Sequence, residues 1–279
     1  MIGPMLGTVA RLRRYPVKSM LGEDVAASDV TFSGLAGDRR LAVVSLRTGK
    51  LASAKYPRRW RAMLTLAATA SGGAVRIRLP DGTIAASADA GVDEVLSAVL
   101  GEPVTLAATP PPGASLDRAV PEAVLRDGVA AEVPAKVIEV GAASPEGSFF
   151  DYAPVHLLTT STLDRVAGLS ARAETAAERY RPNIVIRTAT PGFPENDWLG
   201  RTLRAGSDLV LRVIARTGRC AVPTLAHGGL PRDTDALRVL ARHNRIPPRP
   251  EAESEPCAGV YAEVLNPGHI STSDPVRFY

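Results

Sequence analysis

Cysteine is scarce in this sequence: there are two in 279 residues, at positions 220 and 257. A pair can form at most one disulfide, which a reducing compartment disfavours, so both read as free thiols. Nor can two thiols hold an iron–sulfur cluster, which usually takes four. Long apolar runs are missing too. Nothing approaches the roughly 18 residues of a membrane span. The opening "MIGPMLGTVARLRRYP" has no basic segment followed by an uninterrupted apolar one. Neither a membrane helix nor a secretory signal is expected, and the cytoplasm is the default location. The phosphate-cradling loops GxGxxG and GxxxxGK[ST] are absent, which argues against a nucleotide cofactor held that way. The four histidines, at 156, 227, 243 and 269, have no HxH or HxxxH spacing, so zinc is not indicated. A GxSxG elbow for serine hydrolysis is also missing.

What is present is apolar and mildly basic. With 45% hydrophobic and 22% charged residues the chain can bury one large core or two smaller ones. Net charge is +4, but cations alternate with acids along the chain, which speaks against nucleic acid as a partner. A local exception is "RLRRYPVKS", residues 11–19, where four cations crowd a Tyr-Pro bend that suits an anion.

Short runs with β-branched alternation recur: "LGTVARLRRYPV", "DRRLAVVSL", "AVRIRLP", "NIVIRT", "DLVLRVIART" and "GVYAEVL". Helical periodicity is scarcer. "GVDEVLSAVLG" places Val92, Val95, Leu96 and Val99 on one side with Gly101 as a stop, and "STLDRVAGL" and "TDALRVLARHN" are similar, the last with Thr234 as N-cap. Strands and helices do not alternate regularly, so the expected class is mainly β with peripheral helices (α+β) and barrel-like, not a doubly wound sheet. The triple proline at 110–112 within "ATPPPGASLDRAVPEAV" reads as a surface connection and a boundary, giving regions 1–110 and 111–279. "RIPPRPEAESEPC" reads as an exposed loop before a final strand.

Four places can carry chemistry. Cys220, in "GRCAVPT", follows a strand at a turn beside Arg219, where a thiolate would be a soft ligand or a nucleophile. A small buried hydrophobe is the plain alternative. Cys257 fits that alternative better and receives no role. "YPVKSM" presents Lys18 and Ser19, donors for an oxyanion. "GLAGDRRLAVV" offers Asp38, Arg39 and Arg40, for which a turn with solvated charges is the better reading from the residues alone. In "RYRPNIVI", Arg181 and Asn183 flank a proline before a strand, and either could cap a turn or face a ligand.

In order, "YPVKSM", "GLAGDRRLAVV", "FFDYAPVHLLTTSTLDRV", "RYRPNIVIRT", "ENDWLGRTL", "TGRC" and "GVYAEVLNPGHISTSDPV" resemble the MOSC domain family over almost the whole chain. The branch it is similar to carries an N-terminal β-barrel domain before the MOSC β-barrel, as in the mitochondrial amidoxime reducing component and its bacterial relatives. That resemblance implies a molybdenum cofactor (molybdopterin) with Cys220 as the thiolate on the metal. It also implies Lys18, Ser19, Arg39, Arg181, Asn183 and Arg219 around the pterin, and Asp151 and Tyr152 in the segment that closes on it. The implied activity is reduction of N-hydroxylated or N-oxide small molecules. Alternatives are a sulfur carrier or sulfurtransferase, in which Cys220 bears a persulfide supplied by a cysteine desulfurase, and a non-enzymatic cofactor carrier. Some bacterial relatives continue into a ferredoxin domain beyond "DPVRFY". A reductase here is therefore expected to draw on a separate donor: a ferredoxin, a flavoprotein or a cytochrome b5-like protein. After the cysteine the chain departs from the amidoxime reductases, reading "AVPTLAHGGLPRD" with Pro223 and His227.

Overall fold

The computed structural model describes residues 3–279, except the side chain of Ser71. Seven strands close into a barrel: β1 (Met5–Arg14), β2 (Val155–Thr159), β3 (Ile184–Arg187), β4 (Thr202–Ala205), β5 (Leu209–Gly218), β6 (Glu255–Asn266) and β7 (Pro275–Phe278). Around the ring the order is β1, β7, β4, β5, β6, β2, β3 and back to β1. Closure leaves these staves no free edge. Every contact in the ring is antiparallel except β2 with β3. A parallel pair needs a crossover, and the helix Thr160–Leu169 makes it. That helix is capped by Thr159, whose Oγ1 accepts from the Thr162 amide at 3.0 Å.

Alternation on the strands fills the barrel. Along β5, Leu209, Leu211, Val213, Ala215 and Thr217 are buried in strict succession. On β1 the buried pair is Val9 and Leu12, out of phase by one, and a register irregularity between Val9 and Arg11 restores the phase. Thus the first strand of the chain lies between β3 and β7, so strand pairing joins the two sequence regions rather than separating them.

Residues between β1 and β2 build a second core around Val17, Met20, Val43, Trp60, Met63 and Leu96. Helix Val92–Leu100 covers it with Val92, Leu96 and Leu100, and ends at Gly101 with φ +70° as its glycine stop requires. Val95, expected on the inner face, is exposed, because the buried stripe runs strictly at i, i+4. Thr234 does not cap its helix. Its backbone is already helical, and the Asp235 amide donates to Asp233 Oδ1 at 3.0 Å instead.

The surface connection at the prolines is shorter than its composition suggests. Ser115–Ala119 is a strand paired with Ala135–Glu139, and Pro121–Asp127 is a short helix. Cys257 lies in β6, which is not the final strand: Gly268–Ser271 and β7 follow it. Among the described residues no helix is long and apolar enough to cross a membrane.

Candidate functional site

The two cores meet at a small cluster of Ala54, Leu64, Cys220, Val222 and Leu225, which takes residues from both regions. Above it opens a cavity of about 410 Å³, within the usual range of small-molecule sites, about 300–1,000 Å³.

Three side chains of its wall sit on unusual backbone. Ser19, Arg39 and Arg181 have φ of +67°, +47° and +56°, and are three of the six non-glycine residues with positive φ among those described. Such conformations cost energy and persist where the surroundings over-determine them. Here the surroundings are visible. The Lys18 and Leu41 amides donate to Leu41 and Pro16 carbonyls, and the Arg39 amide donates to Tyr15, locking the two turns together. The buried ring of Tyr15 lies between the guanidiniums of Arg181 and Arg39, at 4.2 and 4.9 Å from its centroid. Burial pushes the Arg181 guanidinium down to about 10.

Asp38 corrects the reading of its segment as a turn with solvated charges. It is buried, accepts from the Tyr15 amide at 2.6 Å and from Asn183 Nδ2 at 2.9 Å, and pairs with Arg39. Asn183 also departs from its expected place. It is not part of the cavity wall. Its amide bridges Asp38, the Arg13 carbonyl and the His156 amide, so it braces Arg39 and β2 from behind.

Lys18, buried, donates to the Phe149 carbonyl at 2.7 Å and to Asp151 Oδ1 at 2.6 Å. Lys55 reaches the same oxygen at 2.9 Å. Burial pushes the Lys18 ammonium down to about 8 against the pull of Asp151. Burial alone would raise the Asp151 carboxyl, but the two ammonium groups outweigh it and hold it well below the usual carboxylate range.

Cys220 follows the end of β5 and is 9% exposed. Lys55, Arg118 and Arg219 are its charged neighbours. Arg219 lines the cavity but spends its donors on the wall: on the Ala258 carbonyl at 3.0 Å, the Tyr180 carbonyl at 2.9 Å and His156 Nε2 at 2.6 Å. With Nε2 accepting, the imidazole is assigned its proton at Nδ1, which donates to the Arg181 carbonyl at 3.2 Å. The contact needs Gly259, with φ +78°, since a Cβ there would stand 2.5 Å from His156 Nε2.

Burial, then the nearby Arg219, pushes the His156 imidazole well below its usual range, and burial pushes His227 down to about 4. A histidine depressed in the fold binds more protons when unfolded, so its stabilising contribution is present above pH about 6.5 and is lost as pH falls toward the folded value. From pH 7 to 5.5 the urea-unfolding free energy should drop by about 2 kcal/mol, at up to ~1.4 kcal/mol per pH unit for each imidazole. A flat profile across that window would show that these rings are not held neutral.

The cavity thus gathers Lys18, Ser19, Arg39, Asp151, Tyr152, Arg181, Arg219 and Cys220 from separate parts of the chain. Sequence reasoning missed Lys55, Arg118, Thr217, Arg216 and Arg249. Thr217 stood inside the quoted "TGRC", and its position on the inward file of β5 was the available signal. For the others no local pattern distinguishes them from surface cations. In all, nine basic side chains face three acidic ones across the wall. Thr217 Oγ1 is buried there without a partner.

Two family models match: the MOSC N-terminal beta barrel domain over residues 6–98 and the MOSC domain over residues 145–277. Together they cover most of the chain. The chain belongs to the MOSC domain family. No curated protein matches it. Among solved structures, the YUAD protein from Bacillus subtilis is similar at 12% identity and a TM-score of 0.46, over 99% of this chain and 97% of that one. YiiM from Geobacillus stearothermophilus is similar at 18% identity and 0.32, over 46% of this chain and 54% of that one. MOSC domains are associated with binding the molybdenum cofactor. The residues of this MOSC protein suit such a group. An anionic, heteroatom-rich ligand calls for excess positive charge and free donors, and the wall offers both, with one thiol. Among the described residues no three His, Cys, Asp or Glu side chains cluster, so a metal beside Cys220 would take its other ligands from the cofactor.

Proposed function

We propose that this MOSC protein binds molybdopterin in the 410 Å³ cavity with Cys220 as metal ligand, and reduces small N-hydroxylated or N-oxide compounds. The observation that carries the reading is convergence. One thiol shares a single cavity with Lys18, Ser19, Arg39 and Arg181, which the fold holds on strained or buried backbone. Sequence-distant donors have little reason to meet in this way without a ligand.

When bound, the cofactor supplies a two-electron redox centre with a soft site for sulfur. The chain's own part is binding and orientation. Arg39 and Arg181, stacked on Tyr15, and Lys18 present cationic groups to the pterin side, and Asp151 fixes the Lys18 and Lys55 ammonium groups in place. Arg219, fully bonded to backbone and His156, acts as a rigid floor under Cys220. In the overall reaction the substrate N–O bond breaks, two electrons and two protons enter, and an amine and water leave. The electrons come from a separate redox protein: a ferredoxin, a flavoprotein or a cytochrome b5-like donor.

The test is the molybdenum and pterin content of protein purified from a host that makes the cofactor, with turnover of phenylhydroxylamine using reduced methyl viologen. Molybdenum near one per chain with turnover is the expected result. Bound cofactor without turnover would point to a carrier. Metal-free protein that accepts labile sulfur on Cys220 from a cysteine desulfurase would replace the reductase reading by the sulfur-transfer one.

A further inference from the structure

The residues between the two matched family regions, 99–144, are not idle in the cavity. The strand pair Ser115–Ala119 with Ala135–Glu139 contributes Arg118, Ile138 and Glu139 to its wall. This hairpin is fastened rigidly: the Leu51 amide donates to the Ser115 carbonyl at 2.8 Å, and the Ala119 amide to the Lys55 carbonyl at 3.0 Å. The second bond puts the segment bearing Arg118 directly beside the one bearing Lys55. Two cations are thereby held in adjacent segments at the side of the cavity where Cys220 lies, an arrangement that is unfavourable unless an anion answers it.

The available anions only partly answer. Asp151 is already shared by Lys18 and Lys55. Arg118 makes one hydrogen bond, from Nη2 to Glu255 Oε2 at 3.0 Å, and not the two-pronged contact its fork permits. Glu255 Oε2 lies 2.5 Å from where a Cβ on Gly218 would stand, so the pair rests on the backbone two residues before Cys220, over a glycine that leaves room for it. Beside it is Thr217, buried, with its hydroxyl unpartnered.

We infer that Arg118 is a specificity-determining residue for a substrate that carries a carboxylate besides its reducible N–O group. In the free protein Glu255 occupies part of its fork. A substrate carboxylate takes the open donors of Arg118, with Lys55 adding charge from the neighbouring segment, and this orients the other end of the molecule toward Cys220. The inference rests on the reductase reading for the identity of the reacting group, and on the hairpin geometry alone for the anion.

Two readouts keep these apart. Reduction of phenylhydroxylamine and 4-(hydroxyamino)benzoate by the holoprotein tests the reductase reading. Calorimetric binding of the unreactive amines, aniline and 4-aminobenzoate, to the purified protein tests the inference whether or not either compound is reduced. Wild-type protein should bind 4-aminobenzoate at least about tenfold more tightly than aniline, the size of one hydrogen bond to a charged group. Arg118→Gln should collapse that preference. Glu255→Gln, which removes the internal competitor, should increase it. Because the pair is partly exposed, 24% for Arg118 and 39% for Glu255, neither change should alter the unfolding midpoint appreciably. Equal binding of the two amines by wild type, or an undiminished preference in Arg118→Gln, would overturn the assignment. So would a Glu255→Gln preference that moves in the same direction as that of Arg118→Gln.

Discussion

Replacing Cys220 by serine should leave a folded protein whose reductase activity is lowered by more than about 100-fold, beyond the 10–100-fold typical of losing a residue that merely supports a metal ligand. The sulfur is the one soft donor the cavity contains, and a serine oxygen is harder and far less acidic. Pterin and its metal can remain, because the metal's other ligands would come from the cofactor, which Lys18, Arg39 and Arg181 would hold independently of the thiol. Folding should survive. The site is a contact with Ala54, Leu64, Val222 and Leu225 at the edge of a cavity, so a hydroxyl in place of the thiol costs about 1–3 kcal/mol. Cys257→Ser is the matching control. That thiol is buried, points at the Ile246 carbonyl at 3.5 Å and is pushed up to about 11 by burial, so its replacement should leave activity nearly intact. Full activity in the Cys220 variant, measured against a molybdenum assay on the same preparation, would reject both the metal-ligand and the persulfide roles and return Cys220 to a buried hydrophobe.

The largest loss of stability from a single polar side chain is expected at Asp38. Its carboxylate joins the Tyr15 amide, Asn183 Nδ2 and the Arg39 guanidinium in one buried knot. Asp38→Ala leaves the half-buried Arg39 guanidinium without its carboxylate and strands the Tyr15 amide and Asn183 Nδ2, a combined defect that costs about 3 kcal/mol. Asn183→Ala strips one member of the same knot and exposes no charge, so it should cost about 1–3 kcal/mol. The two effects should not add, because both remove the same Asp38–Asn183 bond. Urea unfolding of the single and double variants measures this directly. A loss under about 1 kcal/mol for Asp38→Ala would mean that water replaces the carboxylate and that the knot is not what sets the conformation of Arg39.

Asp38 also shows where reading a sequence stops. Gly, Asp and Arg in succession form a turn in either case, and the turn is there. Whether the carboxylate points to water or into the protein depends on what packs against it, and here that is Tyr15 and Asn183, 23 and 145 positions away. The same holds for Asn183, expected on the cavity side and found behind it. Two positions apart, Arg181 and Asn183 would share a face on an extended segment, but Arg181 has φ +56°, which breaks that alternation, and nothing in "RYRPNIVI" announces it.

The sequence alone determined the parts governed by local physics. Alternating apolar residues set the strands, Gly101 stopped its helix, and the order of motifs pointed to the MOSC family and to a barrel. It also singled out the thiol and four of the nine basic residues that share its cavity, Lys18, Arg39, Arg181 and Arg219. Only the tertiary structure decided that β1 closes a barrel whose other staves begin at residue 155, that Lys55 shares Asp151 with Lys18, and that Arg118 reaches Glu255 beside Cys220. Each of these depends on chain closure over many residues. Periodicity fixes which side chains share a face of one element, while the meeting of charges from different elements follows from how those faces pack.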